Sequence, residues 1–247
     1  MKCYRKQAMA GAAACLVAAM AQAQVSDETV KIAVLSDMSS LYADGAGKGS
    51  VEAARMAIAD FGGTVLGKKV ELVSADHQNK ADVGATKARQ WFDNEGVDLL
   101  IEMNNSTAAM AVNGLARERN KMIMNTGAVS TALTNEHCGP TLVHYTYDTY
   151  AMTNAAVKGM LEQGQKEWFI ISVDYAGGKA MAATAAEFVT AGGGKIVGSV
   201  AHPLNASDFS SYVAQAMASK AQVVTLANDT KGAVTTISAA AECGWTT

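Results

Sequence analysis

Short apolar runs alternate along the chain with longer segments in which apolar side chains recur every three or four residues, and the alternation continues from residue 30 to residue 242. The first run, VKIAVLS at 30–36, follows the polar Ser26, Asp27 and Glu28 and carries apolar residues at both parities, as a strand buried in a parallel sheet does. Residues 50–61 then set Val51, Ala54, Met56, Ala57, Ile58 and Phe61 on a helical stripe. The same reading predicts strands at 69–75, 97–102, 121–125, 142–145, 168–173, 195–200 and 222–227. Helices are predicted at 81–95, 107–119, 149–163, 179–190, 208–219 and 230–242. Alternation of this length implies an α/β fold of parallel sheets with helices on both faces.

The rhythm breaks between residues 126 and 150, where an irregular polar stretch at 127–140 precedes one strand and a second irregular step at 146–149. That break marks a crossing between two sheets, and the residues after it repeat the first half's order of strand, loop with Tyr and Gly, helix, strand. Two Rossmann-like lobes are therefore expected, at 24–146 and 147–247, with a cleft between them at the carboxyl ends of their strands. The last residues, Cys243-Gly244-Trp245-Thr246-Thr247, follow a helix directly where another strand is due, so the second lobe is expected to be incomplete.

Ahead of the alternation, residues 1–23 combine a basic start (Lys2, Arg5, Lys6), an Ala-rich apolar run and the ending Ala21-Gln22-Ala23. This is the pattern of a cleavable export signal, and it directs the mature protein to the periplasm. Export removes most nucleotide chemistry from contention. Cleavage after Ala23 takes three basic residues and no acid, moving the formal charge from −3 to −6. Such a surface has no electrostatic footprint for nucleic acid or anionic lipid. With 49% hydrophobic residues and two prolines the chain is globular. Two of its four cysteines, Cys138 and Cys243, remain in the mature part, with no spacing signature.

Known chemical motifs fail one after another. Gly45, Gly47 and Gly49 sit between a strand and a helix, yet Ser50 stands where a dinucleotide loop needs its third Gly, and Lys48 is followed by Gly49 rather than Ser or Thr. A flexible turn and helix start is the expectation there. No Gly-x-Ser-x-Gly elbow occurs, and His77, His137, His144 and His202 are scattered without metal-ligand spacing. No catalytic residue, cofactor or metal site is expected. What stands out instead is small polar chemistry at strand ends: Ser36 to Tyr42, Asn104 to Thr107, Thr126 to Thr131, and in the second half Asp174 to Gly178 and Ala227 to Asp229. Such residues can be plain helix caps, but hydroxyls and free amides at a helix N-terminus also bind a carboxylate.

Those loops, in this order behind an export signal, resemble the type I periplasmic solute-binding proteins of ABC importers, in the branched-chain amino acid binding group. The resemblance rests on KIAVLSDMSSLYADGAGKGSVEAARMAIADFGG, NNSTAA, NTGAVSTALT, YTYDTYA, WFIISVDYAGG and VVTLANDTKGA, and spans residues 28–245. It implies a non-enzymatic capture protein, expected to be monomeric, that closes two lobes on a small carboxylate-bearing solute and presents it to a membrane permease. Carried over by residue, Asn105, Ser106, Gly127, Ala128 and Ser130 would hold the carboxylate, with Tyr42 flanking the cleft. Tyr175 and Asn228 would close from the second lobe, and Tyr147 and Asp148 would lie near the hinge. Two departures accompany it: Gly177 stands where members often carry an aromatic, and members are considerably longer. The variant YTYDTYA is closer to binders of aromatic or other organic acids than to leucine binders. A sensor module feeding a receptor, or a fragment that does not bind, are the alternative readings.

Overall fold

The computed structural model describes residues 28–228 and 230–245, so residues 1–23, expected from the sequence to be an export signal, lie outside the described residues. The chain forms two sheets. The first contains β1 (Thr29–Ser36), β2 (Thr64–Val65), β3 (Lys68–Asp76), β4 (Leu99–Glu102), β5 (Met122–Asn125) and β6 (Leu142–His144), in the order β2-β3-β1-β4-β5-β6. The second holds β7 (Glu167–Val173), β8 (Lys195–His202) and β9 (Val223–Ala227), in the order β8-β7-β9. Every pairing is parallel except β2 with β3. Helices α1 (Gly47–Asp60), α2 (Ala81–Asn94), α3 (Ser106–Arg119), α4 (Thr149–Glu162), α5 (Ala176–Ala191), α6 (Ser210–Ala218) and α7 (Thr230–Glu242) supply the crossovers. This is the α/β architecture that the pattern implies, with a partial second lobe.

Both sheets turn back at their first strand. From β1 the chain winds to β3 on one side and then to β4 on the other; from β7 it winds to β8 and then to β9. At such a switch point the loops after neighbouring strands leave in opposite directions and open a crevice at the carboxyl edge. The loops after β1 and β4, and those after β7 and β9, occupy these two crevices.

Packing follows the strand period. Along β7, Trp168 and Ile170 face Val157 of α4 and Ala185 and Val189 of α5, while Phe169 and Ile171 face Ala216 of α6. In the first sheet, Ala33, Leu35, Leu100 and Ile123 pack under α2 and α3 around Trp91, which is fully buried. The α1 stripe is narrower than its sequence suggests. Val51, Ala54 and Ile58 are half-buried, but Met56 and Phe61 are exposed by 55% and 73%. At 100° per residue Met56 lies roughly 140° around the helix from Val51, and Phe61 falls beyond the last turn.

The short β2 is an element the sequence reading passed over. It pairs with β3 across the two-residue turn Leu66-Gly67, whose φ values of 51° and 77° are those of a tight hairpin. At the crossing between the sheets, α4 is fastened to the first sheet's edge. Thr149 N donates to Val129 O at 2.8 Å, and the Thr131 and Thr149 hydroxyls lie 2.6 Å apart. A 3₁₀ turn at Thr131–Leu133 carries this contact inside what the sequence reading left irregular. Cys138 and Cys243 are both free and exposed.

Candidate functional site

The first crevice is assembled by buried acids and amides. Parallel register brings Asp76 beside Ser36, Leu35 beside Glu102, and Glu102 beside Asn125 at one edge. Asp37 follows β1 and is fully buried; its carboxylate accepts from Ser40 N at 2.9 Å, Ser40 Oγ at 2.6 Å and Tyr42 N at 2.9 Å. Its own amide donates to Asn104 Oδ1 at 3.0 Å, which locks the loop after β1 to the loop after β4. Asp76 Oδ1 accepts from Met38 N at 3.0 Å and Gln78 N at 2.7 Å. Burial would push its pKa up, but hydrogen bonds from Met38, Ser39 and Gln78 outweigh that and hold it below the ordinary carboxylate value. Gly47 opens α1 with φ +45°, and a Cβ there would stand 3.1 Å from Asp37 O. Gly47 is thus a close-packed helix start, while a Cβ at Gly49 would meet open space.

The predicted first-lobe residues divide into two groups. Tyr42, Ser106 and Gly127 line the cleft, whereas Asn105, Ala128 and Ser130 do not. Asn105 is the N-cap of α3: its Oδ1 accepts from Ala108 N at 2.9 Å and its Nδ2 donates to Asn79 Oδ1. Ala128 is spent inside its own loop. Its amide donates to Asn125 Oδ1 at 3.1 Å, while its carbonyl accepts from Asn125 Nδ2 at 2.8 Å and lies 2.7 Å from His144 Nε2. Ser130 Oγ accepts from Ala132 N at 3.3 Å and caps the 3₁₀ turn. These three shape the wall rather than present a group to the cavity.

Across the cleft stand Tyr175 and Asn228. The Tyr175 ring lies 6.2 Å from the Tyr42 ring, tilted by 56°, so the two sheets' loops meet ring to ring. Gly177 makes that pose possible, since a Cβ there would come within 2.9 Å of the Tyr175 ring and hydroxyl. The departure noted at Gly177 thus has a consequence in the wall: the aromatic surface comes from two positions earlier. Asn228 Oδ1 lies 2.9 Å from His202 Nε2, and Asn228 Nδ2 donates to Thr236 Oγ1 at 3.3 Å. Tyr147 lines the cleft mouth and is 62% exposed; Asp148 instead caps α4 through Ala151 N at 2.8 Å.

Several lining residues were missed by the sequence reading, among them Ser50, Glu102, Met152 and Met181. Glu102 ends an apolar strand, where one acid reads as a solvated end. In the fold it is buried, at 6% exposure, and Oε2 accepts from Thr126 Oγ1 at 2.6 Å. Burial pushes its pKa above the ordinary carboxylate value, against the opposing pull of the Thr126 and Ser50 hydroxyls. The whole cleft has a volume of about 510 Å³, room for a small organic molecule. Among the described residues no group of three or more His, Cys, Asp or Glu could hold a metal ion, and no helix is long and apolar enough to cross a membrane.

Two α/β lobes whose strand-end loops face one another across a small-molecule cleft define a two-lobed binding protein. A family model described as periplasmic binding protein matches residues 29–247, and the chain belongs to that family. No curated protein matches the chain. Among solved structures it is similar to a periplasmic binding protein from Burkholderia mallei, with 50% identity and a TM-score of 0.85 over 88% of this chain. It is also similar to a branched chain amino acid ABC transporter periplasmic ligand-binding protein from Burkholderia xenovorans, with 41% identity and a TM-score of 0.74 over 87% of this chain. A Rhodopseudomonas palustris solute binding protein in complex with benzoate shares the fold at 22% identity and a TM-score of 0.82, over 88% of this chain and 60% of that one. The chain spans 58% of the length of each of the two Burkholderia relatives.

Proposed function

We propose that the protein is the solute-capturing component of an ABC importer, exported by a signal cleaved after Ala23 and working as a periplasmic monomer. Its lobes are residues 24–146 and 147–247, with Tyr147 and Asp148 at the hinge. The solute is a small carboxylate-bearing molecule, an amino acid or an aromatic or other organic acid, and the chain performs no chemistry on it. The observation that carries this reading is one cavity of about 510 Å³ lined by strand-end loops of both sheets.

Ser106 at the start of α3, with Gly127, takes the carboxylate, because the first amides of a helix have no intrahelical acceptor and its N-terminus favours negative charge. Asn105, Ala128 and Ser130 serve by holding these loops. Tyr42 and Tyr175 cover the solute and Asn228 adds a polar contact from the second lobe. A ligand that touches both walls binds the closed arrangement better and draws the population toward it, which is the signal a permease reads. A thermal-shift screen against branched-chain amino acids, aromatic acids and short dicarboxylates tests the reading, since binding to the folded state alone raises the melting temperature. A shift with one class supports it; a cooperative transition that no member of the panel moves counts against it.

A further inference from the structure

His77 lies behind the first wall of the cleft without lining it. It follows β3 directly, is fully buried, and its Nδ1 accepts from Asn79 N at 3.0 Å. A backbone amide can only donate, so Nδ1 carries no proton and the ring is neutral, with its hydrogen on Nε2. That bond holds a tight turn. Lys80 N donates to His77 O at 2.8 Å, and the two residues between them, Gln78 and Asn79, take φ values of 53° and 56°. Positive φ at both central positions belongs to type I′ turns, which favour Gly, Asn or Asp, so Gln78 stays there only with support. Asp76 Oδ1 gives it by accepting from Gln78 N at 2.7 Å, and His77 Nδ1 by accepting from Asn79 N. From the turn the contacts run to the solute side. Asn79 Oδ1 accepts from Asn105 Nδ2, Asn105 Oδ1 accepts from Ala108 N at 2.9 Å, and the helix capped in this way begins with Ser106 in the cleft wall.

A protonated ring has an N–H on each nitrogen, so its Nδ1 would repel the Asn79 amide instead of accepting from it. We infer that neutral His77 is a positioning residue for the carboxylate end of the cleft, and that its protonation in acid undoes the turn and lowers the affinity for solute. This rests on the proposed capture function and adds its regulation by pH. Burial pulls His77 below the ordinary histidine value, against the Asp37 carboxylate, the Asn104 side chain and the Asp76 carboxylate, which pull it up. The change therefore falls on the acid side of the range in which a free histidine titrates. Asp37 and Asp76 are the charges that act on the ring; α2 meets it with Gly84, where a Cβ would stand 3.5 Å from His77 Cβ, and brings no charge there. Protonation of Glu102 in the cleft wall has the opposite effect, since it removes a like charge from beside a solute carboxylate.

Two titrations test the inference on the wild type, His77→Asn and His77→Leu. An asparagine side chain can accept from the amide two residues on, as in an Asx-turn, and takes no proton; a leucine accepts nothing. Calorimetry with benzoate, L-leucine and succinate is run at about pH 7.5 and about pH 5, either side of the histidine range. For whichever of the three binds, wild-type affinity should be roughly tenfold or more lower in acid, the loss of about one hydrogen bond. His77→Asn should bind nearly as tightly as the wild type at the higher pH and change less than about threefold in acid, while His77→Leu binds weakly at both. In the unliganded protein, the NMR amide signals of Asn79 and Ser106 should move with the same midpoint as the His77 ring protons. A ring that stays neutral down to about pH 5, or amide signals indifferent to its titration, overturns the coupling. So does a pH dependence that survives in His77→Asn, which would place it on another group such as His202, whose Nε2 lies 2.9 Å from Asn228 Oδ1. Absence of binding by all three solutes overturns the capture function, and the NMR titration, which needs no solute, still decides whether His77 controls the turn.

Discussion

On the first sheet's side of the cleft, several polar side chains are buried and hydrogen-bonded between loops; on the second sheet's side, Asn228 supplies the polar side chain and the rest of the wall is Tyr175, glycine, alanine and Met181. Asp37, Asn104 and Asn105 each satisfy backbone or side-chain groups of neighbouring loops before any solute arrives. Tyr175 by contrast is half-buried, and the residues behind it, Gly177 and Gly178, contribute space. The difference teaches a division of labour. Orientation-sensitive contacts need groups that do not move, whereas a covering surface needs only shape and freedom to close.

The largest expected break comes from the core under the first wall. Trp91→Ala should cost about 3–5 kcal/mol of stability by leaving a cavity between α2 and α3, measurable by denaturant unfolding. On the second wall the comparable weak point is Gly178, where a Cβ would stand 2.3 Å from Val173 O. Gly178→Ala should cost roughly 1–3 kcal/mol through forced backbone movement. Asn105→Ala removes a cap and the bond to Asn79, and should cost about 1–2 kcal/mol. Any solute contact it changes should follow from loosening of the loop.

Acid should act on the first wall. Asp76 has a folded pKa below its unfolded value, so its contribution is present above the ordinary carboxylate range and is lost as pH falls through the folded value. Glu102 runs the other way: its raised folded pKa means a penalty absent at low pH that appears as pH rises through the folded value. Glu102→Gln should therefore raise the melting temperature of the unliganded protein at neutral pH, with the gain shrinking toward pH 4. A melting series across pH that shows no difference from wild type would contradict this sign. The smallest stability effect is expected at Tyr175→Ala, roughly 1 kcal/mol or less, with solute affinity falling about tenfold or more.

Much of the framework was legible because strand and helix periods are strong where one face is fully buried. The run VKIAVLS and the helix at 81–95 are each read to within a residue or two of β1 and α2. The β2 hairpin was not, since two residues carry no period and the signal lay only in Gly62-Gly63 and Leu66-Gly67. The wall was partly legible. Ser106, Tyr175 and Asn228 stand at strand ends where topology alone puts them in the cleft. Asn105 and Ser130 look the same in sequence, because a cap and a ligand contact use the same small polar residues. Glu102 was hidden by its place at the end of an apolar run; only the left-handed backbone and the space above Gly127 turn its carboxyl into part of the cavity wall.

The central claim is that both walls grip one solute. Titration calorimetry of the purified wild type, Ser106→Ala and Tyr175→Ala with whichever solute raises the melting temperature tests it most directly. The account predicts saturable one-to-one binding in the wild type, with each variant weakening it at least tenfold while remaining folded. Binding left unchanged by both variants would mean that the solute sits elsewhere, and would contradict the assignment of this cleft.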